Sequence, residues 1–386
     1  MLTNLFREKQ PSKKTETRAG GIFTVLFQAR RDDFTYLLRK PLKNILTFIL
    51  ALSVLLLLFL GMQCHRDQSS RVEIARFQGD RKAAVSYSFD DGTMGHYLVV
   101  APLLEKYGFR GTFAVVPGWT ADDPTKAEGF AGSKAYTTKF PVGHLVSWSE
   151  WREVASRGHE ISNHGLMHRQ LPDLTDDQLV REVEEGRRII TEKVGRPITF
   201  IYPGRGGDDR SKKVVLRNHI AVREHEERFG GPSFNLAKAD GIIDKAITNG
   251  QPIVIMTHAV EEAGYQPITR ELLDSNLQYV STLKDQIWVD TFANVSKYLQ
   301  ERDATKVTFK VCDTEKVIFS LSSPLDPVVF NEPLTCIVHA RGVSKGSNVT
   351  CSQDGKPLPF HLSGEKVLVD VIPEGSEVTV QWTHNT

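Results

Sequence analysis

Cysteine is scarce in this chain of 386 residues. There are four, Cys64, Cys312, Cys336 and Cys351, and none belongs to a CxxC pair. That excludes a disulfide scaffold and a paired-cysteine zinc site. One disulfide in the C-terminal region and buried free thiols both fit. Net charge is nearly absent too: 48 Lys and Arg against 47 Asp and Glu leave +1. No basic field points to a nucleic-acid partner. Repeats and low-complexity tracts are missing beyond residue 80. What remains is ordinary globular composition, 40% hydrophobic and 25% charged. The length allows two or three domains.

One long apolar run stands out. Ile45 to Met62 reads ILTFILALSVLLLLFLGM without a charge. That is about the ~20 residues that span a bilayer. Arg30, Arg31, Arg39, Lys40 and Lys43 precede it. The positive-inside rule puts residues 1–44 in the cytoplasm as a basic tail and the rest outside. The segment before the run is too long for a usual signal peptide, and no small-x-small cleavage pattern follows. The expectation is an uncleaved, single-pass signal anchor over 45–62, with lipidation at Cys64 as the lesser alternative. Residues 63–80 read as a polar linker.

From 81 to 303 strand and helix patterns alternate. AAVSYSF, GTFAVVP, HEISNH, ITFIYPG, PIVIMTH and IWVDT read as strands. YLVVAPLLEKYG, SWSEWREVASRG, LTDDQLVREVEEGRRIITEKVG and FANVSKYLQER read as helices. Thr175 and Gln178 have capping-box spacing ahead of a stripe of Leu179, Val183, Ile190 and Val194. Repeated βα units predict a mostly parallel sheet or barrel. From 304 to 386, short strands separated by Gly, Pro, Asn and Ser, with no amphipathic helix, predict a small all-β sandwich.

Four polar motifs follow predicted strands: SFDDG, NHGLMH, YPGRGG and THAVEE. In a parallel barrel the C-terminal strand ends share one face, so these motifs converge there. His164 and His168 stand at i, i+4, and one helical turn would place both imidazoles on one side, a spacing suited to a divalent metal. Two nitrogens need a third ligand, and a carboxylate is usual. Asp90 and Asp91 end the first strand with different directions, so one can ligate and the other can act as a base. The cation would offset their repulsion. His258 ends an apolar strand and is a candidate acid. The YPGRGG turn, with Tyr202, Gly204 and Arg205, offers backbone amides to an oxyanion. The SWSEW segment and the loop 120–140 are expected to rim the cleft.

In this order and spacing, SFDDG, His164 with His168, the YPG turn and the strand ending at His258 resemble the polysaccharide deacetylase (NodB-homology) carbohydrate esterases. The resemblance covers about residues 80–300. It implies a distorted, incomplete (β/α) barrel, so the full expectation is an α/β fold of that kind followed by the β-sandwich. It implies Asp90 as catalytic base, Asp91, His164 and His168 as metal ligands, and His258 as general acid. The implied cofactor is one divalent metal, usually Zn2+, sometimes Co2+ or another ion. The implied reaction is hydrolysis of acetyl groups from an acetylated polysaccharide, here outside the membrane. Two departures stand in the chain. The family's arginine two residues before the proline is Ile201 here, and Arg205 follows the proline instead. The Asp-x-x-Asp-Trp motif has no match, since no tryptophan follows Asp240 or Asp244. A C–N hydrolase of small amides and a non-catalytic glycan-binding protein are the alternative functions.

Overall fold

The computed structural model describes residues 71–122, 145–261 and 265–383. The expected basic tail, the run 45–62 and Cys64 lie outside the described residues, as do residues 123–140 of the expected rim. The expected membrane anchor and extracytoplasmic placement are corrected here: among the described residues no helix is long and apolar enough to cross a membrane. The longest, Asp176–Lys193, carries charges along its length and buries only one stripe.

The chain enters with β1 (Val72–Ile74) and then β2 (Ala83–Asp90), which is buried throughout. A π-helical turn at His96–Val100 leads into α1 (Ala101–Lys106). There follow β3 (Thr112–Val115), α2 (Trp148–Ser156), β4 (Glu160–Asn163) and α3 (Asp176–Lys193). Next come β5 (Thr199–Ile201), α4 (Asp209–Val215), β6 (Ala221–Arg223) and β7 (Glu227–Arg228). Then α5 (Leu236–Asn249), β8 (Pro252–Thr257), α6 (Arg270–Ser281), β9 (Ile287–Val289) and α7 (Phe292–Ala304) complete the α/β part.

Local chemistry sets the helix starts. Ser147 with Glu150, Thr175 with Gln178, and Asp208 with Ser211 each form a capping box. Each box satisfies orphan amides of the first turn reciprocally. Asn235, Thr269 and Thr291 cap α5, α6 and α7 through their side chains.

The large sheet runs β6-β5-β4-β3-β2-β8-β7, with β9 also pairing β2, and every pairing is parallel. All strands therefore end on one side. Its two edge strands, β6 and β7, are consecutive in the chain, joined by Glu224, His225 and Glu226. This curled sheet fits the incomplete barrel. Its main core joins Val85, Tyr87 and Phe89 of β2 to Leu104, Phe113, Ile243, Leu273 and Leu277. Trp148 and Trp151 belong to the same core, 3% and 0% exposed. The SWSEW segment is thus packing and not cleft rim, because the α2 stripe that carries both indoles faces the sheet.

Beyond α7 lie β10 (Lys306–Cys312), β11 (Lys316–Ser322), β12 (Leu334–His339), β13 (Asn348–Gln353), β14 (Lys356–Pro357), β15 (Phe360–Ser363), β16 (Lys366–Val371) and β17 (Glu374–Thr383). They form two antiparallel sheets, β1-β12-β16-β15 and β10-β11-β17-β13-β14. One apolar cluster gathers Phe319, Leu321, Val338, Val369, Val380 and Trp382 from both sheets. The same cluster takes in Trp288, Val295 and Tyr298. Strand β1 comes from the other end of the chain, pairing Val72 with Val338. Cys336 and Cys351 are buried free thiols.

Candidate active site

Strand β2 ends at Asp90, and Asp91 opens the turn with φ 78°. Left-handed backbone costs most residues about 1–2 kcal/mol, but aspartate tolerates it. The reversal sends the two neighbouring carboxylates to different partners. Both are buried, 2% and 3% exposed.

Asp91 faces the histidines. Its Oδ1 lies 3.5 Å from His164 Nε2 and 3.3 Å from His168 Nε2. One donor atom from each of the three residues lies within 4.8 Å of the others. The His164 Nδ1 sits 2.9 Å from the Ile201 carbonyl, which can only accept, so Nδ1 carries the proton. In the neutral ring Nε2 then presents a lone pair to a carboxylate. Two acceptors facing each other need a cation or a proton between them. A histidine tied through its second nitrogen to a backbone carbonyl is the usual state of a metal ligand. The donor set therefore fits a divalent metal. Burial lowers the His168 pKa to about 4, reinforced by His164, so this ring stays an unprotonated donor at neutral pH. Burial opposes charge on His164 as well, but the bond to Asp91 and the charges of both aspartates raise its pKa.

The two histidines do not share a helical turn. Residues 164–168 form a loop after β4, with Gly165 at φ 78° and His168 at φ 57°. The rings meet because the loop folds back, centroids 4.8 Å apart.

Asp90 has a different partner. Arg223, at the end of β6, donates Nη1 to Oδ1 at 2.8 Å and Nη2 to Oδ2 at 2.5 Å. Nη1 also reaches the Ser88 hydroxyl at 2.8 Å. Burial would raise the Asp90 pKa, but Arg223, with His164 and His258, holds it well below the usual carboxylate range. Arg223 was not among the expected residues. Its strand, AVR, is short and followed by EHEER, so neither apolar alternation nor a motif marks it. Its register explains it: Ile201 and Arg223 are directly paired neighbours on β5 and β6. The guanidinium thus comes from the strand next to position 201, at the same level.

Arg205 goes elsewhere. Its side chain is 78% exposed and pairs with Asp173 at 2.9 Å, and its amide donates to Gln170 Oε1. It lines the cleft without touching Asp90. Asp240 is also removed from the site, accepting from Asn276.

His258 follows β8. Its carbonyl accepts from Nε2 of buried His96 at 2.6 Å, which pins the strand end. Its ring meets Tyr265 edge-on, centroids 4.8 Å apart. Asp90, His164, His168, Tyr202, Gly204, Arg205, Arg223, His258 and Tyr265 all line one cleft of about 510 Å³. The expected residues are thus gathered at the C-terminal face of the sheet.

Residues 78–221 match the family model described as polysaccharide deacetylase. A gellan lyase from a Bacillus species is 23% identical over 81% of this chain and 13% of its own length. A peptidoglycan-N-acetylglucosamine deacetylase of Bacillus cereus is 30% identical over 18% of this chain and 34% of its own. The chain thus spans about a third or less of these relatives. A solved Mycobacterium smegmatis structure assigned to the polysaccharide deacetylases covers 62% of this chain and 98% of its own, at 17% identity and TM-score 0.45.

Proposed function

We propose that this chain, which carries a polysaccharide deacetylase (NodB homology) domain over residues 78–221, hydrolyses acetyl groups from an acetylated polysaccharide with one divalent metal ion. The observation that carries this reading is the separation of two adjacent buried aspartates onto different partners. Asp91 shares a convergent acceptor set with His164 and His168, while Asp90 is held apart by Arg223.

Asp91, His164 and His168 would hold the ion. Bound there, it would polarise the acetyl carbonyl and acidify a water, as divalent ions do in hydrolases. Asp90 is the base that takes the proton of the attacking water. Its bidentate bond to Arg223 fixes the carboxylate plane and keeps it ionised. Asp90 is made a weak base by this, so it works on an acidified water and not on a bulk one. Tyr202 and Gly204 line the wall where the acetyl oxygen would rest. His258 carries a proton to the leaving amine or alcohol, anchored by His96 through its carbonyl. Exposed Tyr265 offers an apolar face beside that leaving group. We assign the (β/α) barrel to 81–303 and read 304–386 as an accessory sandwich.

The decisive experiment is acetate release from acetylated chito-oligosaccharides, peptidoglycan and xylan, with and without a chelator. Release that is lost on chelation and restored by zinc or cobalt is the expected result. Chelator-insensitive release, or none from any acetylated glycan, would overturn the reading.

A further inference from the structure

The histidine loop has an unusual foundation. His164 donates its amide to the Val115 carbonyl at 3.0 Å, and Gly165 donates to Asn163 Oδ1 at 3.1 Å. Leu166 then donates to the main-chain carbonyl of Glu182 at 2.9 Å. Met167 and Arg169 both donate to Oε1 of the Glu182 side chain, at 2.7 and 3.1 Å. One buried carboxylate oxygen, on a residue 2% exposed, thus collects the amides on either side of His168. The loop can lie this close to α3 because position 186 is glycine. A Cβ there would stand 2.8 Å from Asn163 Oδ1, 3.2 Å from the Leu166 amide and 3.3 Å from the Gly165 carbonyl carbon. From the other side, Gly118 donates to the Leu166 carbonyl at 2.8 Å.

These contacts bear on the site because His168 adopts a left-handed backbone conformation that no regular element imposes. An isolated loop of this kind has many alternatives of similar energy, and most of them carry the His168 ring away from His164. Two amides that point at one fixed oxygen remove those alternatives. Each such hydrogen bond contributes about 0.5–1.5 kcal/mol net, so losing both would favour a rearranged loop. Groups that orient ligands in this way typically change metal affinity by 10–100-fold when removed.

We infer that Glu182 is a positioning residue for the metal centre: through the Met167 and Arg169 amides it holds His168 in reach of Asp91 and His164. The inference rests on the reading that these three residues bind a divalent ion. Glu182 touches neither substrate nor ion. What it supplies is an acceptor at one point, so an amide oxygen at that point should do nearly as well as a carboxylate.

The test is zinc binding to the full chain by calorimetry or competition with a chromogenic chelator. Wild type is compared with Glu182→Gln, Glu182→Ala, Glu182→Asp and His164→Ala, each checked for fold by circular dichroism. The expected result is a Kd within about threefold of wild type for E182Q, and about 10–100-fold weaker binding for E182A and E182D. Activity of E182A should return at saturating zinc, which a globally damaged fold would not allow. If wild type binds no better than H164A, the metal reading itself fails. If wild type binds and folded E182A or E182D matches it, only the inference on Glu182 is overturned. Should E182A not fold, E182Q and E182D decide: equal affinity in both overturns it, and loss confined to E182D supports it.

Discussion

Arg223 grips Asp90 across the mouth of the sheet with two parallel hydrogen bonds, from a strand four positions removed in the sheet order. Both side chains are at most 5% exposed. Two buried charges are held by each other, so removing one leaves the other uncompensated.

Arg223→Met is therefore expected to destabilise the chain by about 3–5 kcal/mol, the usual result of breaking a buried pair. Turnover should fall by about 10²–10⁴-fold, the range lost with a general base. Arg223→Lys should recover charge but not the two-point grip. Because Ile201 is the register neighbour of Arg223, the double variant Ile201→Arg, Arg223→Met should regain part of the turnover. Urea unfolding and steady-state rates check both halves. An R223M chain with normal turnover would remove Arg223 from the reaction.

Metal content separates the two aspartates. Asp91→Ala, His164→Ala and His168→Ala should each lower bound metal from about one ion per chain, as expected of a site built from three protein ligands. Asp90→Asn should keep the metal and lose turnover by about 10²–10⁴-fold. Elemental analysis alongside acetate release reads both. Full metal occupancy in the His164→Ala chain would show that the ion sits elsewhere.

His258 is assigned to the leaving group, so its importance should scale with how badly that group needs a proton. His258→Ala should slow N-acetyl or sugar O-acetyl hydrolysis by about 10²–10⁴-fold. It should slow an aryl acetate far less, since a phenolate leaves without protonation. Parallel loss on both substrates would point to a positional role instead.

Glu301 on α7 gives a pH dependence unrelated to the cleft. It is fully buried, with Oε2 accepting from the Glu332 amide and no partner recorded for Oε1. Burial is the main cause that raises its pKa to about 7, against about 4.3 in an unfolded chain. Between those values the folded state holds the proton and the unfolded state does not. Its contribution is thus fully present below about pH 4.3 and is lost as pH rises through about 7. Glu301→Gln should stabilise the chain by about 1–3 kcal/mol at pH 8 and change little at pH 4. Thermal melts at the two pH values check this; an equal effect at both would show that Glu301 does not titrate in this range.

Much of the site was legible from residue type and position. SFDDG and the paired histidines each follow an apolar strand, and parallel strands deliver their ends to one face, so distant motifs could be read as neighbours. The capping box at Thr175 and Gln178 was equally plain, because its chemistry is confined to four consecutive residues. The tryptophans of SWSEW misled, since an aromatic pair reads the same on a rim and in a core until the facing sheet is known. The helical turn expected for His164 and His168 was also wrong, because a spacing of four says nothing of the Glu182 oxygen that folds the intervening loop.

By itself the sequence determined the residue types and their local order: an α/β region, a β-rich end, two adjacent carboxylates at a strand terminus, and a histidine pair behind a second strand. These follow from periodicity and turn chemistry, which act over a few residues. Only the tertiary structure decided who holds whom. Asp90 finds Arg223 across 133 positions of chain, and His168 is set by a helix that starts beyond it. Such partnerships arise from sheet curvature and strand register, which place a guanidinium by level and not by sequence spacing. An arginine at the end of β6, level with Ile201 on the neighbouring strand, therefore meets Asp90 although nothing in the local sequence pairs them.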